Sequence, residues 1–276
     1  MLDAMSFHPT SERLGIIGFG AIGARLARFF ASAEHGPRTS AILVRDRQLS
    51  NARAVAPEAT VCTNFEEFLE ASPSVVAECA SANTLATLGP LLLKAGCDVV
   101  PLSLGAFADE RHQLRLYDAA ASGPGRLEIP AGALGSIGFL AGAREHELEK
   151  VTVTVAYPTK RWKSMGALRF IDLDQVLEST AFLEASAREV ARLFPGHLNV
   201  VTGAALAGLG LDRTHVILVA DPTIPQAWFQ IDAISGSGPI TIRVDGRNAT
   251  VDEDPIDHTS FSVIRLLKRR CASVAI

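Results

Sequence analysis

Leu14-Gly15-Ile16-Ile17-Gly18-Phe19-Gly20-Ala21-Ile22-Gly23 is the stretch that decides the fold. An apolar run leads directly into a G-x-G-x-x-G, and a helix-forming segment, residues 21–33, follows it. Each glycine has a task in that setting. Gly18 permits the tight turn, Gly20 lets the backbone approach a pyrophosphate, and Gly23 lets helix and strand pack closely. The helix start, Ala21 and Ile22, then offers N–H groups and the positive end of a helix dipole to phosphates. Glycines recur by chance, so the motif alone is weak; its place between strand and helix gives it meaning.

Working outward, the next hundred residues alternate short apolar runs with helical segments. Strands are predicted at residues 41–45, 75–78 and 98–102, and helices at 65–71, 85–95 and 110–121. Such repetition predicts a parallel sheet covered on both faces. Ser122-Gly123-Pro124-Gly125 then punctuates the chain, and the pattern changes. Residues 151–155 alternate Val and Thr, as a half-exposed strand does. Residues 179–193 read as a helix ended by Pro195-Gly196, and 201–209 as a small-residue helix. Strands are predicted at 215–219, 228–234 and 240–244, with a hairpin at Gly236-Ser237-Gly238-Pro239. Residues 259–270 form an amphipathic helix with cations in its last turns. The fold class expected is α/β, a Rossmann-type doubly wound parallel sheet, with a second α+β domain.

Composition narrows the partners. The 276 residues allow one large domain or two modest ones. Net charge is −4, from 26 basic and 30 acidic residues, which argues against nucleic acid or an anionic membrane as partner. Mean hydropathy is high at +0.22, yet charges such as Glu78, Lys94 and Asp98 cut the apolar stretches. No run of about 18 apolar residues exists, so no transmembrane helix is expected. Cys62, Cys79, Cys97 and Cys271 match no zinc or redox spacing, so buried free thiols in a reducing, cytoplasmic setting are expected, and no metal. Residues 1–13 lack a basic start followed by an apolar stretch and read as a loose tail.

A dinucleotide also needs a partner for its adenosine ribose at the end of the second strand. Asp46 lies 23 residues beyond Gly23 and can accept both ribose hydroxyls, which favours NAD. Arg45 and Arg47 flank it, and an Arg there pairs with a 2′-phosphate, which favours NADP. The residues leave both cofactors open.

Three further segments make the chain similar to the L-aspartate dehydrogenase family. The first is Val75-Val76-Ala77-Glu78-Cys79-Ala80-Ser81 together with Gly96 to Ala106. The second is Ile129-Pro130-Ala131-Gly132-Ala133-Leu134-Gly135. The third is Asn199-Val200 with Gly210-Leu211-Asp212-Arg213-Thr214-His215 through Asp221-Pro222. The resemblance implies reversible NAD(P)-dependent oxidation of L-aspartate to iminosuccinate, which hydrolyses to oxaloacetate and ammonia. It implies a homodimer and a split first domain, residues 1–127 and 258–276 for the dinucleotide, with 128–257 for substrate and dimerisation. It implies that Ala133 and Asn199 contact the cofactor. Ala80, Ser81 and Ser103, at the carboxyl ends of parallel strands, are expected to line the same crevice.

The chain departs from the family pattern in its substrate half. The family's catalytic His is expected about 30 residues beyond the Asn, where this chain has Phe229. The family's carboxylate-pairing Arg falls at Ala156, and its segment before the last helix is replaced by Asp254-Pro255-Ile256-Asp257-His258-Thr259-Ser260. His197, two residues before Asn199, is the candidate replacement acid/base, because imidazole titrates near neutrality; a surface or capping role is its competing reading. Lys160, in the basic run Lys160-Arg161-Trp162-Lys163, is the candidate carboxylate partner, against a solvated loop as the alternative. Phe229 would then face a less polar substrate. The alternatives carried forward are a dehydrogenase or imine reductase on another amino or keto acid, and an NAD(P)-binding protein without turnover.

Overall fold

The computed structural model describes residues 12–33, 35–246 and 258–274. Most of the predicted tail and of the segment before the last helix therefore lie outside the described residues. The chain forms two compact units, one of residues 1–106, 110–132 and 256–276 and one of 107–109 and 133–255.

The first unit begins with β1 (Arg13–Ile17), α1 (Ala21–Ser32), β2 (Arg38–Leu43), α2 (Leu49–Val55), β3 (Thr60–Cys62) and α3 (Phe65–Glu70). It continues with β4 (Val75–Glu78), α4 (Ala82–Lys94), β5 (Asp98–Pro101) and α5 (Glu110–Ser122). The five strands lie in the order β3-β2-β1-β4-β5, all parallel. Leu14 to Ile17 and all of β4 are buried, as strands covered on both faces must be. The chain moves from β1 to β2 on one side and later to β4 on the other. The carboxyl ends of β1 and β4 thus form the topological switch point, where open α/β sheets bind ligands. α2 and β3 have no counterpart in the sequence reading, since seven and three residues are too short to show a period.

The last helix, which becomes α10 once the second unit is counted (His258–Cys271), belongs to the first unit. Val263, Ile264 and Leu267 are buried in one core with Leu26, Phe30 and Ile42. Arg270 near its end donates to Glu12 (2.9 Å), Asp98 (2.6 Å) and Glu128. One guanidinium therefore joins the helix to the starts of β1 and β5. It also joins the strap whose Arg126 carbonyl and Glu128 amide bond to Val99.

The second unit holds α6 (Ile137–Arg144), β6 (Leu148–Tyr157), α7 (Thr159–Ser164), β7 (Thr180–Ser186), α8 (Ala187–Leu193), α9 (Asn199–Ala207), β8 (His215–Ala220), β9 (Trp228–Ser235) and β10 (Gly238–Asp245). Its sheet runs β10-β9-β6-β8-β7 and is mixed: β6 and β8 are parallel and the other pairs antiparallel. β6 alternates buried Val151, Val153 and Val155 with half-buried threonines, as its sequence predicts. The helix expected over residues 179–193 is corrected. Residues 180–186 pair antiparallel with β8, from Thr180 opposite Ala220 to Ser186 opposite His215. Only then does helix begin, capped by the Ser186 hydroxyl accepting from the Glu189 amide at 3.2 Å. A free sheet edge overrode local helix propensity there. No helix among the described residues is long and apolar enough to cross a membrane.

Candidate active site

The phosphate turn joins β1 to α1. Gly18 sits at φ +94°, and a Cβ there would lie 2.9 Å from Ala80. A Cβ on Gly23 would lie 2.1 Å from the Gly18 carbonyl oxygen. The fold itself requires both glycines. Gly20 differs: its φ of −81° suits any residue, and a Cβ there would meet nothing within 4 Å. Folding does not require that glycine, and its missing side chain leaves open space over the turn. No side chain caps α1, so the amides of its first turn, at Ala21, Ile22 and Gly23, are left for a ligand.

A cavity of about 320 Å³ opens here, lined by Gly18, Phe19, Gly20, Arg45, Arg47, Gln48 and Ala80 among others. A pyrophosphate fits the donors of the turn itself, glycine backbone and a helix N-terminus, while Arg45 and Arg47 lie farther along the wall, past the end of β2. Gln48 braces the opening by donating to the Phe19 carbonyl at 2.7 Å. Asp46, expected to hold the ribose, is exposed and is not among the lining residues. Gln48 went unnoticed in the sequence because its partner lies 29 positions earlier.

Glu78 ends β4 and is 1% exposed. Its Oε1 accepts from the Ala80 amide (2.8 Å), the Ser81 amide (2.9 Å) and the Ser103 hydroxyl (3.0 Å). Its Oε2 accepts from the Ser103 amide at 3.2 Å. Burial pushes its carboxyl pKa up, against the pull of these donors. Glu78 thus pins the loops after β4 and β5 to each other at the switch point. Ala80 lines the cavity, whereas Ser103 is engaged with Glu78 and the Ser81 hydroxyl accepts from the Thr84 amide to cap α4. A single carboxylate inside the apolar run Val75–Ala80 was the signal the sequence offered for this residue. Next to it, burial raises the Cys79 thiol well above its ordinary range, so it stays protonated.

In the second unit Ala133 is half-buried before α6, and Asn199 opens α9. His197 is exposed in the turn before α9, its amide donating to the Phe194 carbonyl at 3.2 Å; Leu198, not His197, is the N-cap of that helix. Lys160 is exposed on α7, and Lys163 of the same run is paired with Asp174. Ala156 is fully buried in β6. Phe229, in β9, meets Tyr157 edge-on at 5.9 Å, and Tyr157 meets Trp162 at 5.2 Å. Trp162 is fully buried with its Nε1 donating to the Val219 carbonyl at 2.7 Å, which makes it core. His215 lies in β8 with its Nε2 3.1 Å from Glu184, a structural placement.

A parallel sheet in doubly wound order, with a glycine-turn cavity at its switch point, defines a dinucleotide-binding protein of the Rossmann class. Residues 18–130 match the family described as homoserine dehydrogenase, NAD binding domain, and residues 139–270 match aspartate dehydrogenase, C-terminal. The chain belongs to the L-aspartate dehydrogenase family. It is 34% identical over 266 residues to the L-aspartate dehydrogenase of Brucella anthropi, covering 96% of this chain and 99% of that one. It is 33% identical to that of Ralstonia pickettii, covering 95% and 99%. The fold is that of aspartate dehydrogenase from Thermotoga maritima, with a TM-score of 0.76, 23% identity, and coverage of 97% and 100%.

Proposed function

We propose that the protein oxidises L-aspartate reversibly to iminosuccinate with NAD or NADP, water then releasing oxaloacetate and ammonia. The observation that carries this reading is kinship at 34% identity along nearly the whole chain, joined to a glycine-lined cavity at the switch point. A bound nicotinamide would supply a hydride acceptor for the substrate Cα, the amino nitrogen losing a proton as the imine forms. Gly18, Gly20 and the first turn of α1 would hold the pyrophosphate. Ala133 and Asn199 are assigned to the nicotinamide half, His197 to the proton and Lys160 to a substrate carboxylate. Residues 128–257 are assigned substrate binding and pairing into a homodimer, and the four free cysteines support a cytoplasmic setting.

A second reading is favoured by one observation: Phe229, matched in the sequence to the family's His, meets Tyr157 edge-on, and neighbouring Ala156 stands where the resemblance leads one to expect an Arg. It assigns a less polar amino or keto acid to the same chemistry. Incubation with NADH or NADPH, ammonia and a panel of keto acids decides between the two. Oxaloacetate as the best substrate supports the first reading; an apolar keto acid preferred over it supports the second. Turnover of none overturns both in favour of a dinucleotide-binding protein without turnover. His197→Ala is expected to abolish turnover; unchanged kinetics would remove His197 from the mechanism.

A further inference from the structure

We infer that the protein prefers NADP to NAD, and that Arg45 and Arg47 set this preference by pairing with the adenosine 2′-phosphate. The inference rests on the dinucleotide reading above and names the cofactor within it. β2 ends at Leu43, and from there Leu43, Val44, Arg45, Arg47 and Gln48 carry the cavity wall. Arg45 is extended, at φ −81° and ψ 153°, and the chain then tightens into a 3-10 turn over Asp46–Gln48. Successive side chains leave the backbone in different directions there, and it is the two arginines, not Asp46, that reach the wall.

Charge is compatible with this: like the exposed Arg53 and Arg265, Arg45 and Arg47 have no carboxylate partner among the described residues, and unlike those two they line the cavity. Both are exposed, so neither charge was neutralised to satisfy burial. Gln48 fixes the turn that carries them. Its Nε2 donates to the Phe19 carbonyl at 2.7 Å, and its Oε1 accepts from the Arg45 amide at 3.4 Å. The backbone that carries the two arginines is thereby tied to the phosphate turn. A guanidinium has donors in a rigid fork and no acceptor. It matches a phosphate carrying roughly −1.5 to −2 charge, with three acceptor oxygens. The ribose of NAD presents hydroxyl groups instead, and their best partner, a carboxylate, is missing from this wall.

Calorimetric titration of the full chain with NADP⁺, NAD⁺, adenosine 2′,5′-bisphosphate and 5′-AMP tests the inference. NADP⁺ is expected to bind at least about tenfold more tightly than NAD⁺, and the bisphosphate more tightly than AMP. Arg45→Ala and Arg47→Ala should each weaken NADP⁺ binding about tenfold while changing NAD⁺ binding less than about twofold. Both side chains are exposed, so the variants keep the fold, which an unchanged melting temperature verifies. Equal affinities for the two dinucleotides, or equal losses for both in the variants, overturn the assignment. A folded protein that binds neither dinucleotide overturns the dinucleotide reading itself, and the preference falls with it.

Discussion

Gly20 separates what the fold needs from what a ligand needs. Gly18 and Gly23 are held by close contacts inside the protein, and Gly20 by none. Gly20→Ala should therefore leave stability within about 0.5 kcal/mol of the parent and still lower dinucleotide affinity about tenfold or more, because its Cβ enters the space of the pyrophosphate. Thermal unfolding and titration check the two halves separately; retained affinity would take the pyrophosphate off this turn. Glu78 carries a different expectation. Its folded pKa is raised above the ordinary 4.5, so between those two values the folded protein holds a proton that the unfolded chain has lost. The stability it contributes is present in acid and declines as pH rises through the folded value. Urea unfolding of the parent and Glu78→Gln, followed from the ordinary value of 4.5 upward in pH, should show the difference in stability, parent minus variant, falling with pH. A flat difference would mean that Glu78 does not titrate in this window.

At the scale of elements, α10 is tied to its unit by the buried face of Val263, Ile264 and Leu267 and by Arg270. Arg270→Met leaves Glu12, Asp98 and Glu128 facing one another without their cation, a loss of about 3 kcal/mol, read as a lower urea midpoint; an unchanged midpoint would reduce the cluster to surface pairing. Elements whose signal is local were visible in the sequence. Leu14–Ile17 and Val75–Glu78 are apolar runs because both faces of their sheet are covered, and β6 alternates because one face is drier than the other. Thr60–Cys62 was invisible because three residues carry no period. Residues 180–186 read as helix because the partner that makes them a strand, β8, lies about 30 to 40 positions away. The site divides in the same way. The glycine turn is written contiguously, whereas the donors around Glu78 come from residues 80, 81 and 103 and meet only in the folded sheet.

For the whole molecule, kinship and fold agree on one family, and the cofactor cavity lies wholly within the first unit. Phe229, Tyr157 and Ala156 lie in the second unit, to which we assign substrate choice. Aspartate-dependent reduction of NADP⁺ and NAD⁺, followed by nicotinamide absorbance with the intact protein, decides whether it is an L-aspartate dehydrogenase. Reduction is expected to require L-aspartate, to need a higher dinucleotide concentration in Gly20→Ala, and to yield oxaloacetate and ammonia in equal amounts. No reduction with aspartate, by a protein that binds the dinucleotide, would contradict that activity.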